Sequence, residues 1–248
     1  MIRRLIFALS MLTRIPMPFL GNLKPREIGS SSIFFPIVGT IVGVWLVGIH
    51  FLSRQLWNEP LLVSTCTLIA WIAITGGFHL DGLMDTCDGI FSGRGPEQML
   101  AIMKDSRVGA FGAIGLVSIL FLKLGAVSAM NATEAWKGLL IAPIVGRWSM
   151  TYATVVFRYA REEGGMGRAF AEFSDWKCLL VASIFTVAII VSVFRQGAIV
   201  LIPSVVTFIC LIAWRLSRKV GGMTGDTYGA LCELTEGFCL LLFSTKWM

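Results

Sequence analysis

The chain has 248 residues, of which 56% are apolar and only 15% charged, with a net charge of +6. Together with a mean hydropathy of +0.78, this excludes an ordinary soluble domain, in which about 25% of residues are charged. At about 20 residues per span there is room for six or seven membrane helices and short loops, so residues 1–248 read as one integral, all-α, polytopic membrane domain.

Residues 1–20 combine arginines with a short apolar stretch, as a signal peptide does, but lack a small-residue cleavage site and run on into Thr13-Arg14-Ile15-Pro16-Met17-Pro18. An amphipathic helix lying in the membrane interface is expected there. Apolar spans follow at about 33–52, 61–78, 109–130, 138–157, 178–194, 197–214 and 229–245. Gly39 with Gly43, and Gly109 with Ala113, are small-residue pairs of the kind that let membrane helices approach closely. Between the second and third spans an amphipathic helix should begin after Gly95-Pro96, with proline at a first helical position. The six cysteines show no CxxC spacing and mostly fall inside apolar runs, so they read as small buried hydrophobes.

Basic residues set the orientation. Arg3, Arg4, Arg14, Lys24 and Arg26 precede the first span, and Arg94, Lys104 and Arg107 follow the second. Arg158, Arg161, Arg168 and Lys177 follow the fourth, and Arg215, Arg218 and Lys219 the sixth. The opposite side receives Arg54, Lys137, Arg195 and Lys246, with Lys123 and Arg147 left inside spans. The positive-inside rule then places the N-terminus and the end of the second span on the cytoplasmic side. It also accounts for the net charge without nucleic acid.

That second span ends in Gly77-Phe78-His79-Leu80-Asp81-Gly82-Leu83-Met84-Asp85-Thr86-Cys87-Asp88-Gly89. On a helix Asp81, Asp85 and Asp88 fall at i, i+4 and i+7, within about 60° of one another, and form one acidic stripe. Bare, the three carboxylates would repel each other. A solvated helix start with Asp81 as N-cap is the plain alternative, but carboxylates at the end of a membrane span tend to mark a functional site. Oxygen ligands with no cysteine pair or second histidine nearby suit a hard cation, Mg2+ foremost. His79 is either a hydrogen-bonded structural group or a candidate acid or base. His50, across the membrane, is given no role.

Other polar groups gather on the same side. Lys104-Asp105-Ser106-Arg107 closes the loop after the stripe, Arg161-Glu162-Glu163-Gly164-Gly165 opens the loop after the fourth span, and Gly221 to Gly229 precedes the last. A glycine-rich turn leading into a helix can present N–H groups to a phosphate, and the stretch around Gly225 and Asp226 has that form, as would a flexible loop. Glu233 and Glu236 lie one and two turns further on inside an apolar helix and need a partner, either Arg147 or the cation itself.

These residues closely resemble the signature of the cobalamin synthase family, the adenosylcobinamide-GDP ribazoletransferases. The resemblance runs over nearly the whole chain: Gly76 to Gly89, Thr13 to Pro18, Phe35-Pro36-Ile37-Val38-Gly39, Met103 to Gly109, Tyr159-Ala160-Arg161-Glu162-Glu163-Gly164, and Thr224-Gly225-Asp226-Thr227-Tyr228-Gly229-Ala230 with Glu233. Met84 and Tyr228 depart from it, standing where a small residue and a leucine are expected, and neither removes a proposed ligand.

The resemblance implies a Mg2+-dependent late step of vitamin B12 formation. In it α-ribazole, or its 5′-phosphate, attacks the corrinoid-linked phosphate of adenosylcobinamide-GDP, giving adenosylcobalamin, or its 5′-phosphate, and GMP. Asp81, Asp85 and Asp88 are then expected to hold the metal, with Asp81 indispensable and His79 or an aspartate taking the proton. Arg94, Arg107 and Arg161 are candidate phosphate clamps, and Asp105, Glu162, Gly225, Asp226 and Glu233 are further substrate-binding candidates. Membrane lipid is an expected partner, and a homo-oligomer or biosynthetic complex is left open. Two other classes compete. A CDP-alcohol-type phosphotransferase would need an Ala-Arg pair where Asp85 stands, and a cation-coupled transporter would place its acidic groups near the midplane.

Overall fold

The computed structural model describes residues 1–161 and 166–245. Among the described residues it is all-α, with twelve helices: α1 (Ile2–Leu12), α2 (Pro25–Gly29), α3 (Phe35–Leu56), α4 (Pro60–Thr75), α5 (Phe78–Phe91), α6 (Pro96–Ile102), α7 (Ala110–Ala129), α8 (Ala132–Val156), α9 (Met166–Phe173), α10 (Trp176–Phe194), α11 (Ala198–Val220) and α12 (Gly225–Phe243). Each apolar span expected from the sequence contains one long helix, and α6 begins at Pro96 as expected. Four stretches are long and apolar enough to cross a membrane, and a fifth is formed if α4 and α5 are taken together across their bend. One of the four comprises α10 and α11, which fold back on each other: Thr186 and Ile190 share a cleft with Leu201 and Val205. The fold is that of a polytopic membrane protein.

Two helices form the centre. In α8 72% of the apolar window is buried against protein, compared with 28% in α7, so α8 sits inside while α7 faces outward. α12 is likewise buried on nearly all sides, and its Asp226, Glu233 and Glu236 make it too polar to count as an apolar span by composition. Gly39 and Gly43 on α3 show why α8 can be gripped so closely: a Cβ at either would come within 2.5 or 2.7 Å of the Pro143 or Leu140 carbonyl oxygen. That pair is the close-packing device expected from the sequence.

The bend that builds the site lies at Gly76 and Gly77. Both have positive φ, +63° and +69°, a region open to glycine at little cost. The chain turns there through 90° between α4 and α5. α5 then runs across the ends of other helices: Asp88 meets the start of α7, and Gly82 lies against the backbone of Asp226 at the start of α12. A Cβ at Gly82 would fall 2.8 Å from the Asp226 carbonyl oxygen, so this close approach requires glycine. α5 therefore lies across the starts of α7 and α12, at the mouth of the bundle.

A charged lattice ties the interior together beneath α5. Lys123 of α7 donates to Glu233 and Glu236 of α12 at 2.6 and 2.5 Å, and its ammonium lies 4.3 Å from the centre of the Trp71 ring. Arg147 of α8 pairs with the other oxygen of Glu236. Two cations and two anions balance, which is what makes charge at this depth tolerable.

Candidate active site at the mouth of the bundle

The stripe forms as the spacing predicts. Asp81, Asp85 and Asp88 all lie on α5; Asp81 is exposed, and its side chain has no hydrogen bond or ion pair among the described residues. It is not a cap, since the N-cap of α5 is Gly77. Asp85 is half-buried beside it. Burial and the carboxylates of Asp226, Asp81 and Asp88 push the Asp85 carboxyl up to about 7, while Arg161 pulls the other way. A bare cluster thus resists full ionisation, and positive charge placed there would relieve it.

Asp88 has a different occupation. Its two oxygens accept from the backbone N–H groups of Gly109 and Gly112, each at 2.8 Å, and so satisfy the open donors at the N-terminus of α7. Gly109, expected to serve helix packing, instead makes room for this carboxylate: a Cβ there would lie 2.3 Å from it. Asp88→Ala should consequently lower stability by about 1–2 kcal/mol, as loss of a helix cap does. The midpoint of thermal unfolding in detergent reads this directly, and an unchanged midpoint would show that Asp88 is not holding α7.

Asp226 joins the stripe from α12. The loop after α8 and the loop before α12 are zipped by two backbone bonds, Ala160 N–H to Met223 O and Met223 N–H to Arg158 O, each 2.8 Å. This sets Arg161 against Asp226, with Nη2 2.6 Å from the carboxylate. The start of α12 is self-capped, Thr224 and Thr227 exchanging hydroxyl and N–H bonds at 2.7 and 3.2 Å, which leaves Gly225 exposed at the rim. Arg161 also retains an unpartnered Nε.

The remaining sequence candidates are dispersed. Arg107 forks onto Asp105, with Nε 3.0 Å and Nη2 2.5 Å from its oxygens, and these hydrogen bonds hold the exposed Asp105 carboxyl down at about 2. Arg94 lies exposed in the turn after α5. Glu162 lies outside the described residues. Glu233 sits in the buried lattice, only 4% exposed, with Lys123 as its partner. Glu236 meets Arg147, one of the two partners expected for the buried acids.

His79 is 1% exposed, with Nδ1 3.4 Å from Arg147 Nη2. A guanidinium only donates, so Nδ1 accepts and the ring proton belongs on Nε2. The ring is thus a link between the lattice and α5, behind the acidic stripe. Lys123 was missed as a functional partner, although it and Arg147 are the two basic residues inside expected spans, as Glu233 and Glu236 are the two acidic ones. Equal and opposite charges in one membrane interior are a readable signal for pairing.

Among the described residues no three His, Cys, Asp or Glu side chains converge into a ready-made metal cage. The donors at the mouth fit the other common arrangement, a hard cation held by one or two carboxylates while substrate phosphates complete its shell. Cavities surround Arg161: a chamber of about 260 Å³ lined largely by apolar side chains, and a wider groove of about 620 Å³ that shares Lys104 and Arg161 with it.

Carboxylates, a guanidinium and two cavities meeting at one mouth make this a polytopic membrane protein with a polar site at the end of its bundle. Residues 4–244 match the family model described as Cobalamin-5-phosphate synthase, and the chain belongs to that family. It is similar to the adenosylcobinamide-GDP ribazoletransferase of Roseiflexus sp. (strain RS-1), 39% identical over 92% of this chain and 84% of the relative. It is equally similar to that of Geotalea daltonii, at 39% over 97% and 96%, and 35% identical to that of Clostridium acetobutylicum over 96% and 94%. No solved structure matches.

Proposed function

We propose that the chain joins adenosylcobinamide-GDP to α-ribazole or its 5′-phosphate and releases GMP, acting at the cytoplasmic face of the cell membrane as a single integral domain in contact with lipid. The observation that carries this reading is the meeting of the acidic stripe, Asp226 and Arg161 at the mouth of the bundle, in a chain matched along its length by ribazoletransferases. The excess of lysine and arginine in the loops on the site's side supports a cytoplasmic mouth.

The ribose hydroxyl forms a new bond to the corrinoid-linked phosphorus, the bond to GMP breaks, and the hydroxyl proton passes to a carboxylate of the stripe. His79, enclosed beneath α5, orients this helix and stays behind the reacting groups. Asp81 and Asp85, with Asp226 alongside, are the residues that would hold Mg2+. When bound, that ion supplies neutralisation of charge developing on the diphosphate oxygens. Arg161 reaches the same region, grips phosphate oxygens and offsets the negative charge of three aspartates. The sequence-stripe member Asp88 contributes chiefly by fixing α7 against α5.

The test is GMP release by purified, detergent-solubilised protein supplied with adenosylcobinamide-GDP and α-ribazole 5′-phosphate. Release is expected only with both ribazole and Mg2+ present, and a chelator should abolish it reversibly. Chelator-resistant release would remove the metal from the reading, and no release from folded protein would remove the substrates.

A further inference from the structure

We propose that Arg14 is a positioning residue of the site: the stretch after α1 latches the bend between α4 and α5 and so fixes the angle at which α5 presents Asp81 and Asp85. The proposal rests on the transferase reading and deepens it by naming a residue that acts through α5. The bend needs an external brace. Gly76 and Gly77 both lie in the left-handed region with no side chain of their own to pack, and two successive glycines hold an angle poorly unless something else fixes it. Around Gly77 there is open space where a Cβ would stand, so the brace falls on Gly76.

Arg14 supplies that brace twice. Its backbone N–H donates to the Ile74 carbonyl oxygen at 2.7 Å, in the last turn of α4, where carbonyls have no partner within the helix. Its side chain then folds over Gly76: a Cβ there would lie 2.7 Å from Arg14 Cζ and 2.9 Å from Cδ, so the guanidinium occupies the space that any other residue's side chain would need. A positive charge at that spot also suits the negative end of α4. The base of the latch is itself held. Leu12 is fully buried, Thr13 is 3% exposed, and the Thr13 hydroxyl donates to Leu9 O at 2.7 Å while accepting from Ile15 N–H at 3.3 Å. Pro16 and Pro18 stiffen the chain beyond.

The effect reaches the mouth through α5. Asp81 and Asp85 follow Gly76 by five and nine residues on one rigid helix, whereas Asp226 belongs to α12, so a tilt of α5 about Gly76 moves the stripe relative to Asp226 and Arg161. Met11, three residues before Arg14, and Phe78, two after Gly76, line the same chamber, whose shape therefore depends on the same contact. A displacement of about 1 Å in groups that hold reacting atoms can lower a rate about a hundredfold.

Arg14→Ala, Arg14→Lys and Gly76→Ala in the full chain test the assignment. Arg14 is exposed, and its backbone bond survives in the first two, so the fold is spared. One measurement needs no substrate: labelling by N-ethylmaleimide, followed cysteine by cysteine by mass spectrometry. Cys87 lies on α5, half-buried against Gly115 of α7, where a Cβ would meet its Sγ at 2.6 Å, while Cys178, Cys232 and Cys239 are buried elsewhere in the bundle. Arg14→Ala should raise Cys87 labelling at least about tenfold while those three stay protected, since α5 alone loosens. In GMP release kcat should fall about a hundredfold with KM for both substrates changed far less. Arg14→Lys, which keeps a stem and a charge, should recover most of both. Because Gly76→Ala displaces the Arg14 side chain, Arg14→Ala added to it should bring little further loss, as two changes in one contact do. Labelling of all four cysteines together would mean a general loss of stability and overturn the proposal, as would unchanged Cys87 labelling or additive losses. Cys87 exposed with turnover intact would show a latch that positions nothing, and overturn it too. Wild-type protein that releases no GMP would instead sink the transferase reading while the labelling result stands, so the two failures are distinguishable.

Discussion

Asp81→Ala is expected to lower GMP release at least about a thousandfold, equivalent to about 4 kcal/mol of transition-state stabilisation, while leaving the thermal unfolding midpoint no lower than that of the wild type. The two halves of that expectation come from the same geometry. Asp81 is exposed on the mouth side of α5 and has, among the described residues, no hydrogen-bonding or ion-pair partner that would make it part of the scaffold. Its charge raises Asp85, so removing it relieves repulsion and cannot loosen the bundle. A carboxylate that costs stability in the free protein is retained for what it binds. Steady-state turnover beside a melting curve decides the matter: near-normal release from Asp81→Ala would end the assignment of Asp81 to the metal. Set against Asp88→Ala, the experiment also separates an aspartate that serves chemistry from one, seven residues away on the same face, that caps a helix.

The second large effect concerns the interior. Glu236 is fully buried and is shared by Lys123 and Arg147. Glu236→Ala leaves two cations facing one anion at a depth water does not reach, which should cost about 3–5 kcal/mol and lower the midpoint by roughly 10 °C. Adding Arg147→Met to it removes the surplus cation and leaves Lys123 with Glu233 as a neutral pair, so the double variant should be the more stable of the two. Thermal unfolding of both in the same detergent tests this, and a double variant less stable than Glu236→Ala alone would show that charge balance is not the governing quantity. Because His79 touches Arg147, the double variant should also loosen α5 and reduce turnover even where stability returns.

Much of this architecture is readable from local order. Runs of apolar residues long enough to span a membrane become helices because every backbone polar group must be satisfied within its own segment there, and α3, α4, α7, α8, α10, α11 and α12 appear where hydropathy places them. Helical periodicity alone aligns Asp81, Asp85 and Asp88, and the excess of basic residues in alternate loops carries the orientation argument. The six matched blocks carried the family resemblance.

What remained hidden depends on how helices are rotated and which of them meet, information that hydropathy does not hold. Lys123 and Glu233 are 110 positions apart, and Arg147 and Glu236 are 89 apart, so their pairing is a property of packed helices. The division of labour along the stripe, with Asp88 turned to α7 and Asp226 brought in from α12, follows from the 90° bend that Gly76 and Gly77 allow. His79 reads in sequence either as a hydrogen-bonded structural group or as an acid or base beside carboxylates, and only the seating of α5 on Arg147 places it beneath the surface. Composition and local spacing thus determined a membrane-embedded helical bundle with an acidic stripe at the end of one span, and the family resemblance alone pointed to a transferase. The contacts between distant helices alone decided which carboxylates stand open at the mouth, which hold the scaffold, and where a chamber opens beside them, because a helix's sequence defines its faces and only its neighbours define what each face meets.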